Sequence, residues 1–230
     1  MNIVLEKRPK NPTIIEGFPG FGLVGTISTE FLIKHLDAKR IGHIRVEEVP
    51  PVIAIHQGGA VEPIGIYYAQ KQNIVIVHAL NAMNNLEWEL SALLVKLSKD
   101  LKAKELISLE GVGSQVKVSN PRIFHLSNKK IKKVFADPLQ EGIIVGVTGA
   151  LLLNKGVPIT AFFAETHSAL PDSRAAANII KVLDKYLGLK VDYQPLIAKA
   201  EKFETKLKEF MTKAQDVTKT KQKKSPTYFG

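Results

Sequence analysis

Thr13-Ile-Ile-Glu-Gly-Phe-Pro-Gly-Phe-Gly-Leu-Val-Gly25 is the stretch on which the fold turns. Thr13 to Glu16 is a short β-branched run, Gly17 to Gly22 is dense in glycine and holds Pro19, and a helical pattern then runs from Gly22 to Leu36. A strand that passes through a glycine turn into a helix is the opening unit of an α/β sheet. The same alternation continues along the chain. Further strands are predicted at His43 to Glu47, Val52 to Gln57, Gly65 to Ala69, Asn73 to Leu80, Glu105 to Leu109, Ile123 to Leu126, Gly142 to Val147 and Ile159 to Glu165. Ile74-Val-Ile-Val77 and Ile143-Ile-Val-Gly-Val147 are continuous apolar runs, which suit strands covered on both faces.

Helices are marked by stripes and by start and stop signals. Leu86, Leu90, Leu93, Leu94, Leu97 and Leu101 recur on one face, with Asn84 and Glu87 spaced as a capping box. Asp172 opens a helix to about Leu187, where Gly188 is placed to end it. A short helix is predicted around Gly149 to Leu153. From Pro195 to Gln215, Leu196, Ala200, Phe203, Leu207, Phe210 and Ala214 form a narrow seam at alternating steps of four and three. That seam suits either a partner helix or the chain's own body. The reading is a single α/β domain over residues 1–190 with a mixed or mostly parallel central sheet flanked by helices, a C-terminal helix over 191–215 and a flexible basic tail over 216–230.

With 230 residues and 45% hydrophobic content, the chain is long enough for one sizeable core. No N-terminal signal pattern and no apolar run of about 18 residues is present, so a cytoplasmic protein without a membrane partner is expected. The lack of cysteine excludes disulfides, thiolate metal sites and cysteine nucleophiles. The net charge of +10 is disproportionately carried by the end, where Thr212 to Gly230 hold five lysines against one acid. Nucleic-acid binding through this tail ranks third among the functional readings, behind solvated surface lysine as an explanation of the charge.

Gly20-x-Gly22-x-x-Gly25 admits two readings. Backbone amides at a helix start could receive a phosphate, or the glycines could serve a tight turn alone. The flanking Phe18 and Phe21 make the loop apolar and candidate contacts between subunits. The six histidines show no metal spacing, and neither a metal nor another cofactor is expected. Glu165 and His167, with Asp172 and Arg174, lie at the end of a predicted strand, where α/β folds place pockets, but Asp172 already serves as a helix cap. No nucleophile motif accompanies them, so the chain is not expected to be an enzyme; a nucleotide- or nucleoside-binding enzyme using Gly20 to Gly25 is the main alternative. The chain ends Ser225-Pro-Thr-Tyr-Phe-Gly230, two adjacent aromatics on a basic polar segment, which favours a binding partner for the rings.

Ile15 to Gly25, Leu109-Glu-Gly-Val-Gly-Ser114, Val147-Thr-Gly-Ala150, and Ala164-Glu-Thr-His167 with Pro171-Asp172 together resemble the proteasome assembly chaperone family, in its archaeal PbaA/PbaB branch. The likeness runs to about Leu187. It implies a nucleoside-phosphorylase-like fold without established catalysis, a homo-oligomer such as a tetramer or pentamer, and proteasome α-subunits as partners. It also implies that the tail is similar to the hydrophobic-tyrosine-any motif of proteasome activators. Tyr228 would then take the hydrophobic position, Phe229 the aromatic one, and Gly230 the carboxylate that pairs with a pocket lysine. Phe203, Leu207 and Phe210 are candidate contacts within the oligomer.

Overall fold

The computed structural model describes residues 1–48, 53–56, 59–81, 85–114, 120–131, 134–166 and 169–193. Strands lie at Asn2–Leu5 (β1), Thr13–Gly17 (β2), Lys39–Arg45 (β3), Ala54–His56 (β4), Gly59–Val61 (β5), Ile64–Ala69 (β6), Ile74–Ala79 (β7), Glu105–Gly113 (β8), Ile123–Ser127 (β9), Asp137–Pro138 (β10) and Ile159–Thr166 (β11). Helices lie at Val24–His35 (α1), Glu87–Asp100 (α2), Gly146–Leu152 (α3) and Ser173–Leu187 (α4). Among the described residues nine strands form one mixed sheet in the order β1-β3-β6-β7-β2-β8-β11-β9-β10, while β4 and β5 pair as a separate hairpin. The heart of the sheet is parallel: β2 pairs with β7 and β8, and β8 pairs with β11.

The continuous apolar strands are the central ones, as burial on both faces requires. Every residue of β7 and β11 is buried. Odd-numbered side chains of β2 and β8, Ile15, Ile107 and Leu109, pack with α1 and α4 on one face. Ile14, Phe18 and Leu106 point to the opposite face and meet α2 and α3. The result is a three-layer α/β/α sandwich.

Local signals explain most boundaries. Asp172 caps α4, its side chain accepting from the Ala175 N–H at 3.0 Å. Gly188 ends that helix in the left-handed region at φ 67°, with its N–H donating to the Asp184 carbonyl at 2.7 Å. The chain beyond is pinned: the Val191 N–H donates to Asp184 Oδ1 at 3.0 Å, Leu189 and Val191 are buried, and the Lys181 ammonium lies 5.1 Å from the Tyr193 ring centroid. At the same end of the sheet, buried Glu105 is satisfied by Thr160 Oγ1 at 2.5 Å, Lys129 Nζ at 2.8 Å and the Tyr186 hydroxyl at 3.0 Å.

Three expectations are corrected. Gly142 to Val147 is not a strand; Ile143 and Val145 are 89% and 75% exposed, and Gly146 at φ 81° turns the chain into α3, which starts earlier than Gly149. β-branching alone imitates a strand there, but the run leads into a helix whose Val147, Ala150 and Leu151 carry the burial. The strand expected at His43 to Glu47 starts earlier, because Lys39 and Arg40 are exposed polar residues that still pair with β6. α2 begins after Leu86 without a side-chain cap, and Asn84 of the expected capping box lies outside the described residues. The seam of Pro195 to Gln215 and the tail lie outside them too.

Candidate functional site

Parallel strands β2 and β8 end side by side, and the turns that follow them bound a cavity of about 380 Å³. Its walls are Phe18 to Phe21 of the β2–α1 turn, Glu110 to Gly113 of β8, Glu87 and Leu90 of α2, and Ile143 to Val147 leading into α3. Ligand pockets of open α/β sheets form in this position, outside the carboxyl ends of the strands.

The floor of this region is acidic. Glu110 faces the α2/α3 side of the sheet; Glu110 Oε1 accepts from the Gly111 N–H at 3.1 Å and Oε2 from the Thr148 hydroxyl at 3.2 Å. Burial pushes its carboxyl up to about 7, opposed by these hydrogen bonds and one from the Phe21 N–H. Thr148 Oγ1 lies 2.8 Å from Ser108 Oγ, and Ser108 hydrogen-bonds the carboxyl of Glu16. Glu16 shares the sheet face of Phe18 one step deeper along β2. It is 1% exposed, and its Oε1 has no hydrogen-bond partner. Burial pushes Glu16 up to about 8; the Ser108 bond and one from the Phe18 N–H oppose the shift, and the nearby Glu110 charge adds to it. Two buried carboxyls are thus joined through two hydroxyls, with no Lys, Arg or His among the described residues of the cavity lining.

The predicted pocket residues are only partly brought together. Gly20 lines the cavity, and a Cβ there would run into the Glu110 carboxyl. Gly25 lets α1 pass against the Leu109 carbonyl, which a Cβ would strike. Gly22 packs on Thr166, the hydroxyl of which donates to Asp172 Oδ2 at 2.9 Å. These glycines thus serve close packing, and a carboxyl sits beside the loop that a phosphate would need. Glu165 is 8% exposed at its side chain and turns away to Arg122, accepting at 3.2 Å from both Nε and Nη2. That guanidinium holds Glu165 below the usual carboxylate range. His167 lies outside the described residues, as do Phe203, Leu207, Phe210, Tyr228, Phe229 and Gly230.

Phe18, expected as a subunit contact, is 6% exposed and belongs to the core against α2 and α3, because β2 carries it onto the buried face. Phe21 is 41% exposed at the cavity mouth, beside Ile143 and Val145. Sequence reasoning missed Glu16, Ser108, Glu110 and Thr148. The available signal was a carboxylate inside an apolar strand run, Ile14-Ile-Glu16, and the alternation of Ser108 and Glu110 with Ile107 and Leu109. Among the described residues no cluster of three or more His, Asp or Glu is arranged to hold a metal ion, and no helix is long and apolar enough to cross a membrane.

Comparison with known proteins gives a consistent result. The PAC2 family model matches residues 14–211. An uncharacterized protein of Methanocaldococcus jannaschii is 30% identical over 226 residues, which cover 95% of this chain and 93% of that protein. The crystal structure of Pyrococcus furiosus PbaA, an archaeal homolog of proteasome-assembly chaperone, is similar with a TM-score of 0.84 at 33% identity, covering 94% of this chain and 99% of that one. The fold is shared with Pyrococcus furiosus PbaB, an archaeal proteasome activator, with a TM-score of 0.74 at 22% identity, over 91% of this chain and 98% of that one.

Proposed function

The chain belongs to the PAC2 family, which includes relatives of proteasome assembly chaperones, and from that premise we propose that it acts as a proteasome assembly chaperone or activator-like factor, binding the 20S α-subunit ring through the C-terminal tails of a homo-oligomer. The observation that carries this reading is the similarity to PbaA over nearly the whole of both chains. Tyr228-Phe229-Gly230, on a segment rich in lysine, would supply an anchor of suitable chemistry through its two rings. One such anchor is weak. Several borne by one oligomer act at high effective concentration and gain roughly 10²–10⁴ in avidity.

Two features of the body support a protein partner over a reaction. The rim of Phe21, Ile143 and Val145 offers apolar surface for a subunit contact. Among the described residues of the expected pocket, Glu165 is paired with Arg122 and the loop glycines close-pack against β8 and β11. A nucleotide-binding enzyme would place a phosphate beside Glu110, where a carboxylate repels it.

Surface plasmon resonance against an archaeal proteasome α-ring tests the reading, comparing the full chain with one lacking Tyr228 to Gly230. Strong binding that the truncation abolishes is the expected result. Absence of binding by the full chain, or equal binding by the truncated one, would sink the tail-anchored mechanism. Sedimentation velocity on the same samples reads the oligomeric state independently.

A further inference from the structure

The tail-anchored reading makes no use of the cavity. Among the described residues its lining contains two carboxyls, Glu87 and Glu110, and no basic residue. An anion would meet repulsion there. A neutral apolar guest would leave Glu110 desolvated without an ionic partner. A divalent metal would lack ligands, since hydrophobic walls supply none and no three-residue donor cluster is present among the described residues. What complements one acidic floor and apolar walls is a single positive charge on an aliphatic body. The Phe18 and Phe21 rings on the walls favour the same charge through their π faces.

We propose that this cavity is a binding site for a primary ammonium carried on an aliphatic stem, with the nitrogen against the Glu110 carboxylate and the stem against Phe18, Leu90 and Val147. Two sources present that chemistry: a free aliphatic amine, and the side chain of a lysine on a protein. Glu16, 1% exposed and outside the lining, adds a second carboxyl on the sheet face beneath the floor, so the acidic character extends below Glu110. Thr148 and Ser108 couple it to Glu110, so charge introduced at one carboxyl is felt by the other.

The inference predicts a pH dependence of definite sign. The groups facing Glu110 are Glu16 from β2, Glu87 from α2 across the cavity, and the uncharged Thr148 from α3; the β2–α1 turn contributes none. Glu110 is held near 7, so proton and ammonium compete for it. Affinity therefore rises as pH rises, by about tenfold from pH 6 to pH 8 for one competing proton.

Calorimetric titration of the full chain tests this with n-pentylamine, n-pentanol and Nα-acetyl-lysine N-methylamide as probes at pH 6, 7 and 8. Pentylamine is expected to bind with the rising pH profile and with proton release, and pentanol at least about tenfold more weakly. Binding of the lysine amide as well assigns a protein lysine as the source; binding of pentylamine alone assigns a free amine. Glu110→Gln is expected to lose at least about tenfold in affinity. No binding of pentylamine, equal binding of pentanol, or a flat pH profile of the wild type overturns the proposal, even where Glu110→Gln fails to fold.

Discussion

Replacing Glu16 by glutamine should make the protein more stable at neutral and alkaline pH and leave it unchanged in mild acid. The carboxyl is fully buried and held up to about 8, whereas in the unfolded chain it titrates in the ordinary range near 4.3. Between these values the native state keeps a proton that the unfolded state has lost. Stability from this group is therefore complete below the unfolded value and falls as pH rises toward 8, by about 1.4 kcal/mol per pH unit. From pH 5 to pH 7.5 the loss amounts to about 3 kcal/mol, a large fraction of a typical domain's stability. Glutamine keeps the size and the hydrogen-bonding capacity toward Ser108 but does not titrate. Urea unfolding of both proteins at pH 5, 6, 7 and 7.5 gives the difference directly. The difference is the right quantity, because buried His78 is held below its ordinary value by burial and contributes a pH dependence of opposite sign in both proteins. Curves that run parallel across this range would refute the reasoning, since they would mean that Glu16 is ionised and compensated in the folded state.

Other perturbations have equally definite outcomes. Gly25→Ala forces a Cβ against the Leu109 carbonyl, where both partners are backbone, and should cost about 2 kcal/mol or more, read as a lower urea midpoint. Asp172→Ala removes the cap of α4 and the acceptor for Thr166, and should lower stability by about 1–2 kcal/mol in thermal unfolding. Phe229→Tyr restores the hydroxyl that the tail lacks relative to the activator motif and should tighten α-ring binding by about fivefold per tail, measured by plasmon resonance.

What could be read from residue order follows the range of the interaction responsible. α4 was legible at both ends because Asp172 and Gly188 act within one helical turn, and the central strands because burial on both faces leaves an unbroken apolar run. β1 was not legible. Asn2 to Leu5 is a short half-exposed edge that becomes a strand by pairing with β3. The same dependence on a neighbour explains β10, two exposed residues beside β9. Ile143 to Val147 misled because local β propensity cannot register that no strand lies alongside. The acidic floor is the extreme case: Glu16, Ser108, Glu110 and Thr148 come from three elements, and only the parallel register of β2 with β8 brings them together. The glycine loop was conspicuous in the sequence, yet its purpose, making room for Glu110 and Leu109, rests on residues far along the chain.

The pinned segment after α4 also sets how load enters the molecule. A pull on the C-terminal residues meets a fixed root, since Val191 is tied to Asp184 and Leu189 is buried with it against the α1/α4 core. Tension applied there passes into α4 and the strands it packs against. A partner engaged at the far end could therefore be towed by the whole body as one stiff piece. Detaching the root would first require prising two buried aliphatic side chains into water, which makes it a mechanical fuse with a threshold.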